Sequence, residues 1–204
     1  FTREILSPNL NLSQWILDQF PRGYLGRGID VGASDGVSIN STYGLEVAGW
    51  TIISVEANPG FSELLHKHRT FVEMCAASDH SGTGTFYINE ENWEAFSSLK
   101  PTKRRDIEGY PHERDAKWTP IEVPIRTVDE IADKWELPRM DVLCIDSEGT
   151  ELDILQGCDI ERWKPKVICT ECWDRVGPID LYLEARGYKK TARNVHNDLF
   201  VRIE

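Results

Sequence analysis

DVLCIDSEGTELDILQG, residues 141–157, is the stretch on which the reading of this chain turns. Val142, Leu143 and Ile145 are the apolar residues of a buried strand. TELDILQG (150–157) then reads as a helix, stopped by Gly157. A buried strand running directly into a helix is one step of an α/β parallel sheet. In such a sheet ligands bind beyond the carboxyl ends of the strands. Three acids, Asp146, Glu148 and Glu151, stand at this junction. Glu148 and Glu151 suit the start of a helix, where the dipole favours negative charge. Asp146, at the strand end itself, points to an active site.

The same alternation of strand and helix extends outward in both directions. GRGIDVGASDG (26–36) is a short apolar strand entering a glycine turn, and VSINSTYGLEVAG (37–49) reads as the helix after it. WTIISVEAN (50–58) is a second strand. Pro59 opens a helix to about Arg69, since proline suits a first helical turn, and TFVEMCAAS (70–78) is a third strand. GTFYIN (84–89) and IEVPIR (121–126) read as additional strands, with the helix TVDEIADKW (127–135) after them. MDVLCID (140–146) is the fourth main strand and PKVICTECW (165–173) the fifth. GPIDLYLEARG (177–187) is a helix. YKKTARNV and DLFVRIE, joined by His196 and Asn197, form a terminal antiparallel hairpin. The fold class is therefore α/β with helices on both faces of the sheet. Residues 1–204 read as one domain, with a helical lead-in over 1–25 and an irregular insertion over 90–118.

Bulk composition limits what such a domain can do. The 34 acidic residues outnumber the 23 basic ones, and a net charge of −11 opposes general affinity for nucleic acid or anionic membranes. No apolar run reaches membrane-spanning length. Cys75, Cys144, Cys158, Cys169 and Cys172 read as buried free thiols of a reducing, cytoplasmic compartment. The Cys169/Cys172 pair has no second pair to complete a metal site. The chain opens on Phe1, as expected of a domain from a longer polypeptide.

Chemistry concentrates at the strand ends. Gly32 and Gly36 flank the first turn, whose backbone N–H groups make a polar cradle at a helix start. The spacing is G-x-x-x-G behind Asp30, not the G-x-G-x-x-G that suits a pyrophosphate. An acid here fits a ligand carrying an ammonium and a sulfonium, which is S-adenosylmethionine. Glu56 ends the second strand, where a carboxylate can accept both ribose hydroxyls of an adenosine. Asp79 either meets the adenine amino group or caps a turn. Asp146 and Glu171, at the fourth and fifth strand ends, flank the point of methyl transfer. His196 in the hairpin turn is a further candidate base.

IDVGASDG, SVEAN, AASDHSG, FSSL, RTVDEI and above all DVLCIDSEGTELDILQG resemble the FkbM-type methyltransferases, from about residue 27 to the C-terminus. The resemblance implies a class I methyltransferase fold, Rossmann-like, with a seven-stranded mostly parallel sheet whose last strand is antiparallel. It also implies S-adenosyl-L-methionine as methyl donor and a hydroxyl acceptor, often on a sugar or polyketide; rhamnose or fucose would be typical deoxyhexoses. The cofactor set is then Asp30, Gly32, Ala33, Ser34, Asp35, Gly36 and Ser38 at the first turn, Glu56 and Ala57 at the second strand end, Ala77, Ser78 and Asp79 at the third, and Asp146 at the fourth. The chain departs from the family in carrying Met74 where Asn is common and Cys144 where Lys is common.

The acceptor is expected under the 90–118 segment, with Ser97 and Ser98 bonding its hydroxyls. Trp93, Tyr110 and Trp118 offer flat faces for sugar rings. Lys100, Lys103, Arg104, Arg105, Arg114 and Lys117 form a basic run that reads as a solvated face or as a contact for an anionic glycan. Two mechanisms stay open. Asp146 or Glu171 takes the hydroxyl proton, or both bind Mg²⁺ or Mn²⁺, with Asp174 as a further ligand. The competing functions are a non-catalytic methyltransferase-like binding module, partnered with other domains of a glycan-modifying polypeptide, and a nucleotide-sugar or NAD-dependent Rossmann enzyme.

Overall fold

The computed structural model describes residues 5–6, 11–38, 40–90, 97–100, 117–172, 177–194 and 196–203. Its main sheet contains the strands β1 (Ile5–Leu6), β2 (Arg27–Val31), β3 (Thr51–Glu56), β4 (Phe71–Met74), β8 (Val142–Ile145), β9 (Val167–Glu171), β10 (Tyr188–Arg193) and β11 (Asn197–Arg202). A second, smaller sheet contains β5 (Ala76–Ala77), β6 (Gly82–Asn89) and β7 (Trp118–Arg126). The helices are α1 (Leu12–Leu17), α2 (Tyr43–Val47), α3 (Ser62–His68), α4 (Val128–Lys134), α5 (Glu151–Gln156), α6 (Ile160–Trp163) and α7 (Pro178–Glu184).

The main sheet has the order β1-β10-β11-β9-β8-β2-β3-β4. Strands β4, β3, β2, β8 and β9 run parallel, and β11 is antiparallel to both its neighbours. This is the expected seven-stranded sheet with its antiparallel last strand, extended by the two-residue β1 beside β10. The order reverses between β2 and β8, so the ends of these strands form the crevice where open sheets bind ligands.

Period-two alternation sorts the core into two layers. Ile29, Val31, Ile53, Val55, Leu143, Ile145 and Ile168 pack against α4, α5 and α7. Ile52, Val142, Cys144, Val167 and Cys169 face Trp15 and Ile16 of α1 and Leu45 of α2. Helices therefore cover both faces. All five cysteines are buried and free. Among the described residues no helix is long and apolar enough to cross a membrane.

Two sequence expectations need correction. The stretch 70–78 is not one strand: the chain bends at Cys75, leaving β4 in the main sheet and sending β5 to pair with β7. Nor is 37–49 one helix, since α2 begins only at Tyr43. Asn40 accounts for the late start. Its side-chain oxygen accepts from the backbone N–H of Thr42 and of Tyr43, both at 2.9 Å, offering the backbone an alternative to helical bonding.

Candidate active site

The turn after β2 is shaped by contact with both neighbouring strands. Gly32 has φ +81°, and a β-carbon on it would overlap the carbonyl oxygen of Asp146. The N–H groups of Gly32 and Ala33 donate to the carbonyl of Val55 at 3.0 and 3.1 Å. Ser34, itself at φ +53°, donates its N–H to Glu56 Oε2 at 2.8 Å. Glu56 Oε1 accepts from the Asn58 N–H at 2.7 Å. Burial pushes the Glu56 carboxyl above its ordinary range, against the pull of the Asn58 and Ser34 amides. Burial would also raise Asp35, yet the amides of Val37 and Ser38 hold it below its usual value.

A second group of acids meets at the ends of β8 and β9. Ile145 pairs with Thr170, so the next residues, Asp146 and Glu171, stand side by side, and Asn197 pairs with Glu171 from β11. Glu148 joins them from the turn before α5, at φ +59°. One carboxylate oxygen from each of Asp146, Glu148 and Glu171 lies within 4.8 Å of the others. Glu151 has a different task. Its Oε1 accepts from the Ser147 N–H, the Ser147 hydroxyl and the Gly149 N–H at 3.2, 3.1 and 2.9 Å, which holds the turn closed. Of the two helix-start acids, Glu151 is the structural one and Glu148 faces the site.

Both groups open onto one cavity of about 850 Å³. Val31 to Asp35, Glu56 and Ala57 line it together with Asp146, Glu148, Glu171, His196 and Asn197. Apolar walls come from Phe61, Phe86, Leu99 and Ile154. The second sheet is tied to this wall. Ser98 exchanges backbone hydrogen bonds with Tyr87 at 2.9 and 3.1 Å, and its hydroxyl donates to the carbonyl of Glu148 at 3.0 Å.

The family model for the methyltransferase FkbM domain matches residues 30–190, which contain both groups of acids. The chain belongs to the FkbM methyltransferase family. In fold it is similar to the crystal structure of methyltransferase FkbM from Methylobacillus flagellatus KT, with a TM-score of 0.58 and 16% sequence identity over 97% of this chain and 48% of that one. The chain thus spans about half the length of that protein. The N-terminal domain of human METTL16 in complex with SAH gives a TM-score of 0.49 and 11% identity over 95% of this chain and 68% of that one. No protein of curated function gives a significant sequence match.

The residues expected from the sequence to serve an FkbM cofactor site divide into two sets. Gly32, Ala33, Ser34, Asp35, Ser38, Glu56, Ala57, Ala77 and Asp146 share the cavity with Glu171, His196 and Ser97. Asp30, Gly36, Ser78, Asp79 and Ser98 are not on its lining. Asp30 shares a sheet face with Ser54 and Cys144, to which it is paired, the face opposite that of Ile29 and Val31. There it accepts from Asn40 Nδ2 at 2.9 Å and Thr42 Oγ1 at 2.7 Å. Asp79 is hydrogen-bonded to His80 Nδ1 at 2.6 Å, which lowers its carboxyl. Trp93, Tyr110, Asp174, Lys103, Arg104, Arg105 and Arg114 lie outside the described residues. Lys100 pairs with Asp153, and Lys117 lies 2.5 Å from Glu90. Asn40, Phe61, Phe86 and Asn197 were not anticipated. Asn40 and Phe61 come from the connections after β2 and β3, Asn197 from the first residue of β11 and Phe86 from the second sheet, so none follows the strand-end pattern that marks the acids.

Proposed function

We infer that this chain is an S-adenosylmethionine-dependent O-methyltransferase acting on a hydroxyl of a carbohydrate. The observation that carries the reading is the convergence of the glycine turn, Glu56 and the Asp146–Glu171 pair on one cavity. The residues fit the cofactor. Gly32 lets the turn close against the Asp146 carbonyl, and the amide-held Glu56 carboxylate keeps further lone pairs for ribose hydroxyls. A pocket of about 850 Å³ is at the large end of small-molecule sites, which supports a cofactor and an acceptor side by side.

S-adenosylmethionine would supply an electrophilic methyl group for in-line displacement. The chain's own work is to hold the acceptor oxygen on that line and to remove its proton as the new bond forms. Asp146 and Glu171 are the candidate bases, with His196 beside them on the same lining. A diol suits this part of the cavity, because neighbouring carboxylates accept from adjacent hydroxyls. Ser97 and Leu99 on the lining support the 90–118 segment as the cover over the acceptor. A second reading rests on the mutual approach of Asp146, Glu148 and Glu171 within 4.8 Å, a spacing able to hold Mg²⁺ or Mn²⁺. Five buried free thiols support a reducing, cytoplasmic compartment.

Calorimetric titration with S-adenosylhomocysteine, with and without Mg²⁺ or Mn²⁺, tests the cofactor. Transfer of labelled methyl to a panel of free sugars, deoxyhexoses included, then tests the acceptor. Cofactor binding together with a labelled sugar ether supports the enzyme. Binding without transfer to any hydroxyl overturns the carbohydrate assignment. No binding under any condition leaves a methyltransferase-like interaction module.

A further inference from the structure

The cavity wall to which Gly32–Asp35, Ser38 and Asn40 contribute is held from behind by a side chain that is absent from the cavity lining. Arg69 lies between α3 and β4, and its guanidinium is wholly enclosed. Nη1 donates to the Gly36 carbonyl at 3.0 Å and to Asn40 Oδ1 at 3.1 Å, and Nη2 donates to Thr42 Oγ1 at 2.7 Å. Two carboxylates balance its charge. Glu46 Oε2 is 2.6 Å from Nε, and Asp30 Oδ2 is 3.8 Å from Nη2. The network reaches the lining through Asn40, whose Nδ2 bonds Asp30 at 2.9 Å and the Ala33 carbonyl at 3.2 Å. Gly36 is part of the same device. A β-carbon there would stand 2.6 Å from Arg69 Cγ, so the arginine stem needs glycine at that position.

Burying an arginine with two acids is a poor way to gain stability, because desolvation offsets most of the attraction. A planar fork of donors does something that apolar packing does not: it sets three points of one loop in fixed relation. We propose that Arg69 is a positioning residue for the cofactor, holding the turn after β2 so that Gly32–Asp35, Ser38 and Asn40 keep their places on the cavity lining. The proposal rests on the S-adenosylmethionine reading of that cavity. It also gives Asp30 a role other than direct contact with the ligand: together with Glu46 it compensates the buried guanidinium.

The test uses the full chain as wild type, as Arg69→Lys and as the charge-balanced triple variant D30N/E46Q/R69M, which leaves no buried charge in the network. Two quantities are read: S-adenosylhomocysteine affinity and amide hydrogen exchange at Thr42 and Tyr43 relative to the strands β2 and β8. The triple variant is expected to melt cooperatively, to exchange faster at those two amides alone, and to bind about tenfold more weakly, a change of about 1.4 kcal/mol. Arg69→Lys is expected to weaken binding similarly, because one ammonium cannot span the Gly36, Asn40 and Thr42 acceptors together. A folded triple variant with unchanged affinity and unchanged exchange overturns the proposal. Should the triple variant fail to fold, Thr42→Val, which removes one acceptor of the fork, is read in the same way. If the wild type itself does not bind S-adenosylhomocysteine, the proposed function fails separately. Exchange alone then decides whether Arg69 holds the loop.

Discussion

Gly32 and Asp146 meet backbone to backbone where β2 and β8 end: the Asp146 N–H donates to the Val31 carbonyl at 2.9 Å, and the Asp146 carbonyl fills the space where a Gly32 β-carbon would be. The glycine is thus required twice, by its φ of +81° and by the approach of the next strand. Gly32→Ala should cost about 1–2 kcal/mol from the backbone conformation alone, and more from the overlap. Urea unfolding measures the loss. Cofactor affinity should fall in parallel, because the neighbouring amides shift with the turn.

Glu56 gives a pH dependence of definite sign. Burial, the leading cause, holds its folded pKa above that of an ordinary glutamate. The folded state therefore binds the proton more tightly than the unfolded one. Glu56 then subtracts stability as pH rises from the unfolded pKa through the folded one. Ribose recognition has the opposite requirement, since a protonated carboxyl loses acceptor capacity. S-adenosylhomocysteine affinity should decline as pH falls through the folded pKa, while stability does not decline on account of this residue. Calorimetry across this range checks the first point and denaturant titration the second. Glu56→Ala should weaken binding about tenfold or more and flatten its pH profile.

What could be read from the chain and what could not follow physical lines. Asp146 and Glu171 were legible because each ends a continuous apolar run, and a parallel sheet brings such ends together whatever the loops do. Their neighbour Glu148 was read as part of a helix start. Its left-handed backbone, which turns it toward the cavity, leaves no trace in composition. Asp30 was legible as a strand-end acid, but not its direction, which depends on pairing parity with Cys144. Arg69 looked like an ordinary base at a helix end. The acids that enclose it, Asp30 and Glu46, lie 39 and 23 residues earlier in the chain. The bend at Cys75 was hidden because TFVEMCAAS stays apolar across it.

The two mechanisms at the β8 and β9 ends separate by substitution. With a carboxylate base at Glu171, Glu171→Gln should lower kcat by about 10²–10⁴-fold while leaving S-adenosylhomocysteine affinity nearly unchanged, whereas Asp146→Asn, a member of the expected cofactor set, should lower both. With a divalent cation, both variants should lose activity together with metal affinity. Chelation should then silence the wild type, and excess Mn²⁺ should partly restore the variants. Rates of labelled methyl transfer with and without chelator decide between them.

The β10–β11 turn that carries His196 and Asn197 to the cavity is anchored by a buried ionic cluster. Lys190 Nζ lies 2.5 Å from Asp180 and 2.8 Å from Asp198, and Arg193 Nε is 3.4 Å from Asp198. Arg193 Nη2 also donates to the Cys172 carbonyl at 2.6 Å, and the Cys172 N–H donates to the His196 carbonyl at 2.8 Å. The cluster thus ties the turn to the end of β9, one residue beyond Glu171. Burial raises the Asp198 carboxyl, while the Asp180 and Asp198 carboxylates hold Lys190 above its ordinary value against its own desolvation. Lys190→Met leaves Asp180 and Asp198 without their nearest cation, and should cost about 3–5 kcal/mol at neutral pH. The deficit should shrink as the solution is acidified, because a protonated Asp198 no longer needs that charge. In the double variant K190M/D198N the two losses should sum to less than their separate values, since each removes the other's partner. Urea unfolding at two pH values, applied to both single variants and the double, measures all three effects. A K190M deficit equal at both pH values would show that the lysine acts through packing of its stem and not through its charge.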